Sequence, residues 1–105
     1  MTAPLIVDLP HRLGAEEARR RIAGGIGRLE EQIPGGAVVE TRWNGDRLDL
    51  AVETIGQKVD GSIEVHERHV RIELSLPLAL SFFTRAIEAA VRRKGAAMLE
   101  DKSGG

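Results

Sequence analysis

Apolar and polar residues change their period three times along this chain. Leu5 to Leu9 (LIVDL) is a short β-rich run ending at Pro10, which predicts a first strand at a sheet edge. From Ala15 the spacing becomes helical. Ala15, Ala18, Ile22, Gly25, Ile26, Leu29 and Ile33 fall on one arc of a 3.6-residue repeat, and Pro34-Gly35-Gly36 ends the pattern. Glu16 and Glu17 suit the positive end of that helix, and each precedes an arginine by four residues. A period of two then returns. Val39, Thr41 and Trp43 alternate with Glu40 and Arg42, Asn44-Gly45-Asp46 signals a hairpin, and Leu48, Leu50 and Val52 alternate with Arg47, Asp49 and Glu53. A second turn falls near Gly56-Gln57, and two further strands carry the chain to Leu76. Pro77 introduces an amphipathic helix of about six turns, with Leu80, Phe83, Ile87, Ala90, Val91 and Met98 on its apolar arc.

The element order is therefore β-α-β-β-β-β-α. Alternating strands bury one face only, which predicts an α+β two-layer sandwich: an antiparallel sheet with two helices packed on one face and the other face in water. Residues 1–100 are expected to form a single domain, with a flexible tail over 101–105. Gly25 lies on the buried arc of the first helix, where a missing side chain would let the helix approach the sheet. Gly24 and Gly27 leave that helix weak or mark a surface where another backbone or ligand comes near.

The stretch DGSIEVHERHVRIEL, residues 60–74, looks most like chemistry. Placing Glu67 and Arg68 at a hairpin tip sets Val65 opposite Val70, Ile63 opposite Ile72, Gly61 opposite Leu74 and Val59 opposite Leu76. Every apolar residue then lies on one face, with Glu64 against Arg71 and His66 against His69 on the other. A four-residue loop from His66 to His69 keeps the same faces. Paired histidines could hold a metal if His11 or Glu64 joined them, yet the spacing of three residues on a strand pair is not the helical H-E-x-x-H of zinc hydrolases. The solvated hairpin tip is the simpler reading. Asp49, Glu53, Asp60 and Glu64 share one sheet face, the ordinary state of a half-exposed sheet rather than a paired-carboxylate site.

Composition narrows the choices further. The chain has 105 residues, no cysteine and a net charge of -1 from 15 basic and 16 acidic residues. Disulfides and thiolate metal sites are excluded, and a general nucleic-acid binder is disfavoured. No secretory signal or bilayer-spanning run is present, which predicts a cytoplasmic protein. Phe82, Phe83 and Trp43 are the only aromatics, so the core must be aliphatic. There is no nucleophile elbow, Walker A loop or dinucleotide fingerprint, and no cofactor is expected.

One surface stands out on the second helix. Leu78 and Phe82 share a stripe with Arg85, Ala89 and Arg93, outside the core arc, while Lys94 sits within that arc as a snorkelling lysine would. The stripe suits an anionic or amphiphilic surface, or a dimer contact, although cations also favour the end of a helix dipole.

The order His11-x-Leu13-Gly14-x-x-x-Ala18-Arg19, then Trp43-x-Gly45-Asp46-x-Leu48, then Val59-Asp60-Gly61-x-Ile63-x-Val65, followed by Leu76-Pro77 and a basic amphipathic helix, resembles the bacterial polyhydroxyalkanoic acid system (granule-region) family. The resemblance spans roughly Ile6 to Leu99. It implies an association with polyhydroxyalkanoate synthesis or storage, with no catalytic residues and no cofactor to carry over. Residues Thr54 to Lys58 depart from that pattern, being longer than a tight turn requires.

Two expectations follow. The first is a non-enzymatic accessory protein that binds a polyester granule or a polyhydroxyalkanoate-system protein through Leu78, Phe82, Arg85 and Arg93, with a homodimer as a further outcome. The alternative is a lipid- or acyl-binding protein with a pocket between sheet and second helix, which only an open space there would support.

Overall fold

A computed structural model describes residues 4–28, 37–54 and 56–100. The tail 101–105, and Leu29, Ile33 and Pro34-Gly35-Gly36 at the expected end of the first helix, lie outside the described residues. Strand β1 (Leu5–Pro10) leads to helix α1 (Gly14–Gly27). Strands β2 (Val38–Asn44), β3 (Arg47–Thr54), β4 (Gln57–Val65) and β5 (His69–Ser75) follow, then a 3-10 segment (Leu78–Phe83) and helix α2 (Thr84–Met98). The five strands form one antiparallel sheet in the order β1-β5-β4-β3-β2, with both helices on one face, so the α+β sandwich and the edge position of β1 hold.

Alternation dictates the layering. Leu5, Val7 and Leu9 of β1, Leu48 and Leu50 of β3, Ile63 and Val65 of β4, and Val70 of β5 are buried on the inner face. Ala18 and Ile22 of α1 close over them, and Leu76 and Leu99 complete the core. Trp43, Ile26, Leu80, Ile87 and Val91 are half-buried against it. The β4–β5 register pairs Val65 with Val70, Ile63 with Ile72, Gly61 with Leu74 and Glu64 with Arg71, as the hairpin pattern predicts. That ladder ends at Asp60 and Ser75, so Val59 and Leu76 are not part of it.

Charges on the outer face do not pair as the β4–β5 hairpin alone suggests. Arg71 turns to Asp8 across the β1–β5 seam, at 2.9 Å and 3.3 Å. The Arg71 hydrogen bond is the main cause holding the Asp8 carboxyl below its ordinary range. Glu64 faces Arg47 on β3, Glu53 faces Lys58 and Asp49 faces Ser62, so no two of the acidic residues stand directly opposite each other.

Three expectations need correction. The second helix does not start as an α-helix, because residues 78–83 wind as a 3-10 segment. Ser81 Oγ donates to Leu78 O at 2.7 Å and Thr84 Oγ1 to Ser81 O at 2.8 Å, so hydroxyls take carbonyls of this turn. The tighter winding of about 120° per residue puts Phe83 outside the core arc, and it is 57% exposed. The connection near Thr54 is not long: pairing continues to Thr54 and Gln57, leaving only residues 55 and 56 between β3 and β4. Finally, Gly25 lets α1 approach α2 rather than the sheet, since an added Cβ would lie 2.5 Å from Met98 Sδ.

These glycines have opposite expected responses. A Cβ at Gly61 would stand 2.8 Å from the backbone oxygen of Glu73, which cannot step aside, whereas one at Gly24 meets nothing within 4 Å. Gly61→Ala should cost about 1–3 kcal/mol and Gly24→Ala should stabilise by up to about 1 kcal/mol, measured by urea unfolding. The Asp8 contribution is complete above the ordinary aspartate range and is lost as pH falls through the lowered folded-state value. An Asp8→Asn variant should therefore lose less stability than wild type on acidification, followed by thermal unfolding across that interval.

Candidate functional site

Two turns that are distant in sequence meet at the start of α1. His11 Nδ1 accepts the Leu13 N–H at 3.1 Å, so its proton sits on Nε2, which donates to His66 O at 2.9 Å. The His11 backbone N–H donates to Arg68 O at 2.9 Å. Glu67, at the hairpin tip, takes the Ala15 N–H at 3.3 Å. Leu13, at the N-cap position, provides no side-chain bond, so a carboxylate from another element satisfies one of the helix's open N–H groups and complements its dipole. Gly14 has a φ of +80°, and an added Cβ would lie 3.3 Å from Glu67 Oε1, so glycine suits this crossing on both counts. Arg19 of α1 holds the other hairpin tip, reaching Gly45 O and Asp46 Oδ1 at 3.3 Å with its guanidinium 5.9 Å from the centre of the Trp43 ring.

This arrangement makes the H-E-R-H stretch a clamp. His66 and His69 stack face to face with ring centres 4.4 Å apart and planes 12° from parallel. Ring-nitrogen lone pairs lie in the ring planes, so two stacked imidazoles do not aim at a common ion. Both nitrogens of His11 are already bonded, and Glu64 approaches His66 Nε2 at 3.5 Å. Among the described residues no group of three or more His, Cys, Asp or Glu is placed to hold a metal.

A different feature dominates the space between sheet and helices. Helix α2 buries only Gly95 along its length, which sits directly on Leu9. Its C-terminal end is further tied by Arg21, whose guanidinium donates to Glu100 O at 2.8 Å and Met98 O at 3.4 Å while Glu17 steadies it at 2.9 Å. Hydrogen bonding to Arg21 is the main cause holding the Glu17 carboxyl below its ordinary range. The helix is thus anchored at its C-terminal end. Towards its start it stands away from the sheet and leaves a cleft of about 460 Å³.

Leu50, Val52, Val59, Ile72 and Leu74 form the cleft floor, Ile22 and Ile26 one wall, and Leu80, Ile87 and Val91 the other. Lys94 is the one charged side chain lining it among the described residues. These positions read as ordinary core in the sequence. The available signal was the shortage of large side chains: Trp43, Phe82 and Phe83 are the only aromatics, and none lines the cleft.

The stripe residues lie on the opposite side of the same segment. Leu78 is 74% exposed and Phe82 91%, and Arg85 and Arg93 are exposed on α2. The 3-10 winding places Leu78 about 120° from Phe82 around the axis rather than about 40°, so the two do not continue one straight row.

A family model described as "Putative polyhydroxyalkanoic acid system protein" (PHA_gran_rgn) matches residues 6–99. The chain belongs to this family. No curated protein and no solved structure matches it. Several motifs that carried the resemblance fall on the clamp, with Leu13-Gly14 and Ala18-Arg19 in the first turns of α1 and Gly45-Asp46 the tip that Arg19 holds, while Gly61 lies in the β4–β5 ladder under Leu74. No helix among the described residues is long and apolar enough to cross a membrane.

The clamp predicts a structural effect. His11→Ala removes a buried side chain and leaves the part-buried Leu13 N–H and His66 O without it, and should cost about 1–3 kcal/mol. Glu67→Ala removes only an exposed cap and should cost about 1 kcal/mol, both read from denaturant midpoints. Dialysed wild-type protein should carry no stoichiometric zinc, copper or nickel by elemental analysis.

Proposed function

We propose that this protein is a non-catalytic accessory component of a polyhydroxyalkanoate system that takes an aliphatic acyl chain into the cleft between sheet and α2. The observation that carries this reading is the cleft itself: about 460 Å³, lined by aliphatic side chains. Sites for small molecules commonly enclose about 300–1,000 Å³, so the space suits a single slender chain. Burying such a chain would gain about 25 cal/mol for each Å² of apolar surface removed from water. The lining offers no serine, histidine, aspartate or glutamate among the described residues, which supports binding rather than turnover.

A second reading rests on a separate observation, the 91% exposure of Phe82 beside Leu78 and Phe83. The 3-10 segment sends Leu80 into the cleft and these residues into solvent, so an apolar surface adjoins the cleft wall. With Arg85 and Arg93 further along, this surface suits the boundary of a polyester granule or a partner of the same system. A cytoplasmic place of action belongs to both readings, with the family as its support.

The two readings separate experimentally. Native mass spectrometry and titration with a fluorescent fatty acid should show one acyl chain bound per protein. Ile87→Trp, which fills the cleft, should weaken that binding at least about tenfold, and Phe82→Asp should leave it unchanged. Absence of acyl binding by the wild type would overturn the cleft reading. For the surface reading, a Phe82→Asp/Arg85→Glu variant should fail to sediment with purified granules; co-sedimentation equal to wild type would reject it.

A further inference from the structure

The interior of the cleft offers an oxygen atom nothing to bond. Its floor residues Leu50, Val52, Val59, Ile63, Ile72 and Leu74 lie on β3, β4 and β5, the three inner strands, whose backbone groups are taken up by the ladders on either side. Gly95 lies within the hydrogen-bonded run of α2. Lys94, the one charged lining residue among those described, is exposed, so its charge belongs to the margin of the cleft and not to its interior. A hydroxyl or ester carried inside would leave water and meet no donor or acceptor among the described lining residues.

The lining is also graded along its length. Leu9, Val70, Gly95 and Leu99 are buried, whereas Val52, Val59, Leu80, Ile87 and Val91 are half-buried. The Val52–Val59 level and the Val65–Val70 level stand about 20 Å apart along β4, at about 3.3 Å per residue. A ligand with one polar and one apolar end therefore has one favourable direction. Its apolar end goes towards Leu9 and Val70, and its polar end stays outside the lining, in water. A β-hydroxyacyl chain fits that rule, because all its oxygen lies near one end and its tail is plain alkyl.

Resting on the cleft reading proposed above, we infer that the cleft selects the unsubstituted alkyl tail of an acyl chain and not its acyl end. The methyl end lies at Leu9, Val70 and Leu99, while the acyl group and the carbons next to it remain outside. A hydroxyl on the β-carbon or an ester at the head is accordingly tolerated, and a hydroxyl at the far end is rejected. An apolar site turns away a buried hydroxyl by about tenfold to a hundredfold. An exposed carboxylate beside Lys94 contributes no more than about fivefold. Free acids, β-hydroxy acids and their esters share the same tail, so head chemistry is not what this site reads.

Calorimetric titration of the full chain tests this, using dodecanoate, methyl dodecanoate, β-hydroxydodecanoate and ω-hydroxydodecanoate, each below its micelle-forming concentration. The first three should bind within about fivefold of one another. The ω-hydroxy acid should bind at least about tenfold more weakly than dodecanoate. Ile87→Trp should weaken dodecanoate and its methyl ester by the same factor, and Val91→Trp takes its place if that variant does not fold. A loss of less than about tenfold for the ω-hydroxy acid, an equal loss for the β-hydroxy acid, or a methyl ester that does not bind would each overturn the tail-first assignment and leave the cleft reading standing. Absence of binding by every probe, or binding indifferent to the tryptophan variants, would overturn both.

Discussion

A neutral histidine with both ring nitrogens occupied holds the two ends of this structure's logic together. His11 leaves β1, accepts the Leu13 N–H as the chain turns, and donates to His66 O at the tip of the β4–β5 hairpin. That one contact fixes where α1 begins relative to the sheet. Glu67 can then meet the Ala15 N–H, Arg19 can reach the other hairpin tip, and Ala18 and Ile22 come down on the inner face. Polar groups removed from water must find partners, and here His66, Glu67 and the Gly45-Asp46 tip supply them from elements distant in sequence. The clamp therefore orders the layers as well as the turn.

The rigid end of the molecule has a consequence at the other. Helix α2 is held where Gly95 sits on Leu9 and where Arg21 takes the last carbonyls, while no side chain of another element bonds to its start among the described residues. Small residues at the anchored end and aliphatic ones beyond it leave a cleft that none of the three aromatics lines. A close-packed interior has few voids larger than a water molecule, so a cleft of about 460 Å³ is a feature of the fold rather than slack in it.

Much of this was legible beforehand, for identifiable reasons. Period-two alternation fixes strand faces absolutely, because a shift by one residue would turn Val65, Ile63 and Val70 into water. The register from Gly61 to Arg71 followed from that and from placing Glu67-Arg68 at the tip, and the Asn44-Gly45-Asp46 turn signal located the other hairpin. The start of the second helix was misread because helical periodicity does not distinguish an α-turn from a 3-10 turn when Ser81 and Thr84 can bond local carbonyls. Gly25 was assigned to the sheet because a helical wheel shows which arc is buried and not which neighbour buries it. The cleft was posed as a question that no pattern could answer, since a residue lining a void and a residue packed against another share the same apolar code.

The sequence by itself determined the element order, the inner and outer faces of β2 to β5, the absence of cysteine chemistry and, through short motifs in order, the family. Those depend on local periodicity and on residue identity, which the chain carries explicitly. Tertiary structure alone decided that Glu67 of the H-E-R-H stretch caps α1 and that a cleft opens between α2 and the sheet. Each of these depends on distances between residues far apart in the chain, and such distances exist only once the layers have packed.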